Sequence, residues 1–456
     1  MISRPSSFNH MQNKPFFYIE TFGCQMNDRD SEIMAQLLAE SALPCNDVAE
    51  ADIVLVNTCS IREKAEQKAF SLLGQLRTLK QKKKDLIIGV VGCVAQQEGQ
   101  KILQRMSHVD LVMGPQSIYN LPALLAEIAC DHKRIVAIDQ SPSFVIPSFL
   151  PEVGSGPSHK RFITIMQGCN NFCTYCVVPY TRGRELSRQF SDIVNEAREL
   201  VAHGVKEITL LGQNVNSYGR DPHGKQIHTF AELLRAVAEI PGLARLRFTT
   251  SNPKDLTTEL LQSFADLPIL CSHFHLPVQS GSDHVLKRMN RKYTREHYLE
   301  LVQALRSYRP DLAITTDIIV GFPGESEEDF QATFSLLEEV RYHGAFSFKY
   351  SDRPQAKSVA FVDKLSEEVK STRLAILQKR IDEIVLERNK EYVGRIESVM
   401  VESENKNRDG QWHGRTGSNH IVHFDNTAPL SPGQMVNIRI NEACQHSLRG
   451  ELKNDD

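Results

Sequence analysis

Three thiols stand on one short stretch of the chain: Cys169-Asn170-Asn171-Phe172-Cys173-Thr174-Tyr175-Cys176. The C-x3-C-x2-C spacing follows directly on Phe162–Met166, an apolar run that reads as a strand. Thiolates are soft ligands that zinc and iron–sulfur clusters both accept. A structural zinc ion takes four ligands, usually with a second Cys or His pair nearby. The next cysteine is Cys271, so no fourth ligand follows at that spacing. A [4Fe–4S] cluster held by three thiolates keeps one iron open for a small molecule. Three ligands therefore point to chemistry and not to a staple.

A second set is dispersed. Cys24, Cys59 and Cys93 each follow an apolar, strand-like run: Phe17–Phe22, Ile53–Val56 and Leu86–Val91. In a parallel sheet the C-terminal ends of neighbouring strands share one edge, so these thiols can meet. Three separately buried, apolar cysteines are the competing reading. Gly23 and Gly92 immediately precede two of them, which suits a close backbone approach to a bulky ligand. Cys45, Cys130, Cys271 and Cys444 have no such neighbours and read as isolated thiols.

The elements that must position these thiols describe an α/β multidomain chain. Residues 14–140 alternate strand patterns, Leu111–Met113 being the fourth, with helical patterns near Ser31–Leu43, Glu63–Leu79, Gln97–Met106 and Ile118–Ile128. This predicts an N-terminal α/β domain with a mainly parallel sheet. Residues 141–158 collect Pro142, Pro147, Pro151 and Pro157 with Gly154 and Gly156, the composition of a linker. Residues 159–385 repeat the alternation on a longer scale. Candidate strands are Phe162–Met166, Glu207–Leu211, Arg245–Thr250, His273–Leu276, Ala313–Val320 and Ala345–Tyr350. Six βα units predict a partial or full barrel that binds ligands at the C-terminal strand ends. Ser326 and Asp329 have the spacing of an N-cap and its reciprocal acid. In residues 386–451, Val436, Ile438 and Ile440 alternate with Asn437, Arg439 and Asn441, which is strand patterning. A small β-barrel is the natural way for so short an all-β unit to hide its edges.

Composition narrows the partners. The 456 residues carry 53 Lys and Arg against 56 Asp and Glu, a net charge of −3. An indiscriminate basic coat for nucleic acid is thereby excluded, while a local basic groove is not. An apolar fraction of 41% with 24% charged residues excludes a disordered or fibrous chain. The longest apolar run, Leu86–Ala95, is about half a membrane span, and Met1–Pro15 lacks an apolar signal core. A cytoplasmic protein is expected. In that reducing compartment clustered cysteines read as metal-binding or catalytic.

The text around the cysteines is more specific than their spacing. It includes Thr21-Phe22-Gly23-Cys24-Gln25-Met26-Asn27, Asn57-Thr58-Cys59-Ser60-Ile61-Arg62, Gly92-Cys93-Val94-Ala95 and Val178-Pro179-Tyr180-Thr181-Arg182-Gly183-Arg184-Glu185. Over about residues 14–450 the chain resembles the radical S-adenosylmethionine methylthiotransferases. It is most similar to the branch acting on N6-dimethylallyladenosine beside the tRNA anticodon. The resemblance implies a radical-SAM barrel in the centre and a TRAM-like, RNA-binding barrel at the C-terminus. It implies two [4Fe–4S] clusters, one on Cys169, Cys173 and Cys176 and an auxiliary one on Cys24, Cys59 and Cys93. Two S-adenosylmethionine molecules would serve, one as methyl source and one as radical source. The hard chemistry would then belong to the cofactors, so no side chain is assigned a catalytic role. The implied partners are the tRNA anticodon stem-loop and a low-potential electron donor such as flavodoxin, with the protein a monomer away from membranes. Ser351-Asp352-Arg353-Pro354-Gln355-Ala356 departs from relatives, which usually have proline at the second position and glycine-threonine at the last two. Three other readings compete: a ribosomal-protein aspartate methylthiotransferase, the enzyme for threonylcarbamoyl-adenosine, and a non-enzymatic cluster-bearing RNA-binding protein. Phe22-Gly23-Cys24-Gln25-Met26-Asn27 argues against the first, which typically begins Leu-Gly-Cys-x-Lys-Asn, and Ser60–Glu66 favours the dimethylallyl branch over the second.

For S-adenosylmethionine the candidates are Tyr175 on the cysteine loop and Gly212, Gln213 and Asn214 after the Glu207–Leu211 strand. Ser251, Gln279 and Gly281 follow later strands, and Asp317, Ile319 and Gly321 resemble a hydrophobic-glycine motif near the adenine. Turns and packing are equal readings for each. For RNA the candidates are Arg182, Arg184 and Arg188, with Arg395, Trp412 and Arg415 in the last part. A solvated or carboxylate-paired loop competes for the first three, and barrel packing for Trp412.

Overall fold

A computed structural model describes residues 14–60, 63–141, 144–147, 159–221, 223–405, 408–426 and 429–453. Most of the predicted linker, and Ile61-Arg62, lie outside the described residues. The chain forms two compact units. The described residues of the first fall within Met1–Ser155, Gln167–Asn170 and Val177–Glu185. Those of the second fall within Gly156–Met166, Asn171–Cys176 and Leu186–Asp456.

The first unit is built on six strands: β1 (Phe16–Thr21), β2 (Leu43–Pro44), β3 (Ile53–Thr58), β4 (Ile87–Gly92), β5 (Leu111–Met113) and β6 (Ile135–Ala137). They form one sheet in the order β2-β1-β3-β4-β5-β6, with every pair parallel. Successive side chains of a strand point to opposite faces. Leu55 of β3 and Val91 of β4 accordingly enter one apolar cluster with Ile33, Met34 and Leu38. Val54, Val56 and Val90 enter the other, with Leu73 and Leu76. Burial on both faces explains why these strands read as unbroken apolar runs. The helix Gln25–Ala39 begins six residues before the expected Ser31, because Cys24 in extended conformation takes its N-cap position. The short strands β2 and β6 carry too little pattern to be read from sequence.

In the second unit the strands β7 (Lys160–Thr164), β10 (Glu207–Leu211) and β11 (Arg245–Thr249) form one parallel sheet. A further parallel sheet holds β12 (His273–His275), β13 (Ala313–Val320) and β14 (Gly344–Lys349). A parallel bridge between Leu246 and Leu270 links the two. The two-residue strands β8 (Met166–Gln167) and β9 (Leu186–Ser187) bracket the cysteine loop in sequence. Strands follow one another in chain order, which is a partial barrel with β14 at one edge. Phe274, Ile314 and Ile318 pack outward against Tyr298, Val302, Leu305, Leu336 and Leu337 of the helical layer. By alternation His275, Thr315, Asp317 and Ile319 belong to the concave face. The capping box of Ser326 and Asp329 forms as its spacing predicts. In the loop Ser351–Ala356, Gln355 has φ +71°, a left-handed conformation that favours glycine.

The C-terminal strands β15 (Ile396–Glu404), β16 (Gln411–Thr416), β17 (Ile421–Asp425), β18 (Met435–Ala443) and β19 (Leu448–Leu452) close into a barrel, order β15-β16-β17-β19-β18. The helix Glu367–Lys390 leads into it. Arg245 donates to Arg415 O at 2.6 Å and Ser398 O at 2.7 Å, and Arg247 to Thr416 O at 2.7 Å. Lys160 pairs with Glu402 at 2.8 Å. These anchors lie at or near the starts of β7 and β11, so the small barrel docks at the N-terminal edge of the larger one. Among the described residues no helix is long and apolar enough to cross a membrane.

A Cβ at Gly281 would lie 2.6 Å from Ala332 O and Thr333 Cα of the helix Glu327–Val340. Both obstacles are backbone and cannot rotate away. Gly281→Ala is expected to cost about 1–3 kcal/mol through overpacking. A lowered thermal unfolding midpoint by circular dichroism checks this, and an unchanged midpoint refutes it.

Candidate functional site

The sheet of the first unit gathers the dispersed thiols. Cys24, Cys59 and Cys93 follow β1, β3 and β4, three adjacent strands whose ends are in register: Thr21 opposite Asn57, and Thr58 opposite Gly92. The strand order reverses between β1 and β3, a switch point of the kind where open α/β sheets bind ligands. Gly23, at φ +138°, has no room for a Cβ because Cys59 packs against it. Gly92, at φ +92°, would drive a Cβ to 2.5 Å from Thr58 O. Asn27 ties the strand ends together: its amide donates to Thr58 O at 2.9 Å and Phe22 O at 3.1 Å. Asn57 returns a bond to Asn27 O at 2.9 Å.

Arg182 lies among these thiols. Its Nη2 donates to Asp30 Oδ2 at 2.7 Å and Asn27 Oδ1 at 3.1 Å. Its Nη1 is buried without an oxygen acceptor among the described residues. Burial opposes the charge, but Asp30, Cys93 and Cys24 outweigh it and hold the guanidinium above its ordinary range. In return a hydrogen bond from Cys59, and the Arg182 charge, pull the Cys24 thiol below its usual value against burial. Burial pushes Cys93 up, with Arg182 opposing. The pocket thus favours thiolates at Cys24 by design of its neighbours. Among the described residues no three His, Cys, Asp or Glu side chains gather tightly enough for a single metal ion. A four-iron cluster is a wider object, and three thiols on separate strand ends fit its donor chemistry.

In the cysteine loop, Cys169 belongs to the first unit, where its N–H donates to Gly183 O at 3.2 Å. Cys173 and Cys176 belong to the second unit. There Thr174 N donates to Met289 O at 3.0 Å and Cys176 N to Cys173 O at 3.0 Å. Tyr175 packs with Ile319, Phe322, Tyr350 and Phe361. Arg291 is half-buried beside the loop: Nη1 stands 3.5 Å from Cys173 Sγ and Nη2 donates to Pro277 O at 3.0 Å.

At or past the ends of β7, β10 and β11 lie four buried side-chain oxygens with no partner among the described residues: Thr164 Oγ1, Asn214 Oδ1, Asn216 Oδ1 and Ser251 Oγ. Buried polar atoms are almost always satisfied, so such a group marks room for a polar ligand. The Asn214 amide nitrogen is held by Asp255 at 2.7 Å, which leaves its oxygen for that ligand. Gly212 gives way to the Met166 side chain, and Gln213 is half-buried beside it. Asp317 Oδ2 is 3.5 Å from His275 Nε2. At other expected S-adenosylmethionine contacts the backbone already has protein partners. Gly281 N–H is taken by Thr333 Oγ1 at 2.9 Å, and its missing side chain admits a helix. Gly321 N–H is taken by the Glu325 carboxylate, which makes the glycine a turn residue. The backbone of Gln279 is spent on Asp317 O and Ile319 N.

The expected RNA contacts divide in the same way. Arg182, 3% exposed, and Arg188 are buried and paired with carboxylates, not presented to phosphate. Arg188 Nη1 meets Glu196 at 2.6 Å, and Glu196 is fully buried. Trp412 is core of the small barrel, with Val399, Val422 and Phe424. Arg415 pairs with Glu402 at 3.2 Å. Arg184 and Arg395 are exposed, the latter with its guanidinium 5.1 Å from the Tyr392 ring centre.

Residues 16–114 match the model of the Uncharacterized protein family UPF0004, 163–337 that of the Radical SAM superfamily and 390–453 that of the TRAM domain. The chain is 55% identical over 444 residues to the tRNA-2-methylthio-N(6)-dimethylallyladenosine synthase of Desulfotalea psychrophila, covering 96% of this chain and 98% of that one. It is 49% identical to the synthase of Geobacter sulfurreducens, covering 98% and 99%. The chain belongs to this synthase family. Among solved structures, a radical S-adenosylmethionine methyltransferase from Kitasatospora setae superposes with a TM-score of 0.56 at 13% identity, over 86% of this chain and 79% of that one, a likeness of fold.

Members of the synthase family use S-adenosylmethionine and two [4Fe–4S] clusters. Sequence reading missed the residues that would serve those clusters from behind. Asp30 and Arg291 lie outside any cysteine motif, and only burial reveals them. Groups that hydrogen-bond or charge-balance ligating side chains typically matter 10- to 100-fold for metal affinity, as an order of magnitude. Arg182→Ala leaves Asp30 buried and unpaired beside the thiols. It is expected to lose about half of the iron and sulfide that wild type binds on anaerobic reconstitution. Full iron in R182A by colorimetric assay counts against the role.

Proposed function

We propose that this chain methylthiolates C2 of N6-dimethylallyladenosine beside the anticodon in tRNA, with two S-adenosylmethionine molecules as methyl and radical sources. One observation carries the reading: a second three-thiol set, on three adjacent strand ends around Arg182, accompanies the Cys169–Cys176 loop. A radical enzyme that only abstracts hydrogen needs the loop alone, whereas inserting sulfur needs a further place to hold it. In this reading Cys169, Cys173 and Cys176 hold the radical cluster, and Cys24, Cys59 and Cys93 hold the auxiliary one. When bound, the clusters supply one-electron cleavage of S-adenosylmethionine and a site for the transferred sulfur.

The chain's own residues bind, orient and exclude water. Asn214, Asn216 and Ser251 present oxygens to the amino end of S-adenosylmethionine, which is a donor. Tyr175 and Ile319, packed on one apolar cluster with Phe322 and Tyr350, form an apolar wall that keeps water from a reactive species. Arg291 donates to Cys173 Sγ and Arg182 balances the charge of the auxiliary thiolates. The closed C-terminal barrel supplies RNA affinity, with the exposed Arg395 before its first strand as a candidate for phosphate, and the exposed Arg184 of the first unit is another. A flavodoxin-type donor, a monomeric state and the cytoplasm complete the proposal.

Nucleoside mass spectrometry after anaerobic reaction of reconstituted protein with dithionite, S-adenosylmethionine and isopentenylated tRNA tests it. A methylthio mass gain on the hypermodified adenosine, with 5′-deoxyadenosine, is expected. Deoxyadenosine without that gain, at verified cluster content, would redirect the substrate to threonylcarbamoyl-adenosine or protein. The C24A/C59A/C93A variant should keep deoxyadenosine formation and lose the methylthio product. Arg291→Met removes a hydrogen bond to a cluster sulfur and should make the radical cluster harder to reduce. Potentiometric titration followed by EPR checks the sign of that shift.

A further inference from the structure

The edge strand β14 carries a row of aromatic side chains, Phe346, Phe348 and, two positions beyond the latter, Tyr350. Their burial is graded. Phe346 is 55% exposed, Phe348 is 39% exposed, and Tyr350 is buried against Phe322 and Tyr175. Two large rings in water on one strand are unusual, and they need a reason.

The side of the sheet is settled by their neighbours. Lys349 reaches Glu367 at 3.1 Å and Ser371 at 3.2 Å on the helix Glu367–Lys390, and Ala345 packs on the main core. Those residues face the helical layer, so Phe346 and Phe348 face the concave side. The register agrees: Phe346 pairs with Asp317 and Phe348 with Ile319. The Phe346 ring centre is 6.3 Å from that of His275, itself beside Asp317. Ile319 in turn packs against the apolar cluster of Phe322 and Tyr350, on which Tyr175 of the cysteine loop also packs. An apolar shelf therefore runs from the cysteine loop to the open edge of the barrel.

We infer that Phe346 and Phe348 form the subsite for the apolar N6 substituent of the target nucleoside and set the preference for a dimethylallyl group. The inference rests on the substrate proposed above and adds the residues that recognise it. The chemistry of the shelf selects the occupant. A branched, uncharged five-carbon group gains by covering exposed rings. The row holds no Lys or Arg, and the Asp317 carboxylate on the same face repels the carboxylate of a threonylcarbamoyl group. Phosphate is disfavoured on the same ground.

The test uses full-length reconstituted protein with S-adenosylmethionine and two synthetic anticodon stem-loops, one with N6-dimethylallyladenosine and one with plain adenosine. Fluorescence anisotropy reads both affinities, and initial rates of methylthiolation give KM. Wild type is expected to prefer the modified loop about tenfold. F346A/F348A should bring that preference to near unity through weaker binding of the modified loop, with affinity for the plain loop retained. F346L/F348L, apolar but not aromatic, should restore part of it. Cluster absorbance and the unfolding midpoint verify that the variants fold, as substitution of exposed residues allows. A double alanine variant that keeps the wild-type preference overturns the subsite and leaves the proposed activity standing. Wild type that makes no methylthio product on the modified loop overturns both. Equal loss of affinity for both loops also overturns it, because the rings would then serve RNA binding in general.

Discussion

A parallel strand delivers the residue after its last hydrogen bond to the same edge as its neighbours do. In the first unit that constraint places Cys24, Cys59 and Cys93 one residue or a few beyond strands in direct register. Sequence separations of more than thirty residues collapse to one sheet edge. In the second unit the same constraint lines up Thr164, Asn214, Asn216 and Ser251 at or past three neighbouring strand ends. Both candidate sites sit at strand ends, and the apolar clusters beneath hold those ends in register.

Gathering thiolates under a protein surface concentrates negative charge where water cannot screen it. Each unit places a guanidinium beside its thiols, fully buried in the first and half-buried in the second. Arg182 is anchored by Asp30 and faces Cys24 and Cys93, while Arg291 is anchored by Pro277 O and faces Cys173. The run Arg182, Arg184, Arg188 resembles a phosphate-binding stretch only until burial is known. Two of the three are inside, one serving thiols and one a buried glutamate. The plane and fixed charge of guanidinium suit it to such places.

Element type was legible wherever periodicity had room to show itself. β10 and β13 begin and end where their apolar runs do, and the helix Glu327–Val340 was announced by its capping pair. The cysteine motifs were legible because spacing carries their chemistry. What sequence could not show was burial. Gly281 and Gly321 look alike, as glycines after strands, yet one admits a helix and the other makes a turn. Trp412 could stack on a base or fill a core, and the alternation of the small barrel puts it inside. Asp30 and Arg291 emit no signal, since a single charged residue in a helix or loop is ordinary.

The placement of the small barrel bears on how RNA must engage. Its anchors on Arg245, Arg247 and Lys160 lie near the beginnings of the strands whose far ends carry the ligand-facing oxygens. Five residues of strand separate the two edges, about 17 Å at the usual rise. In the proposed function, affinity and chemistry thus occupy opposite edges of one sheet. A substrate held by the small barrel has to reach past the length of the strands to present a base, which a stem-loop can do and a free nucleoside cannot. Recognition of the base itself must then come from the concave face, where β14 leaves two aromatic rings uncovered.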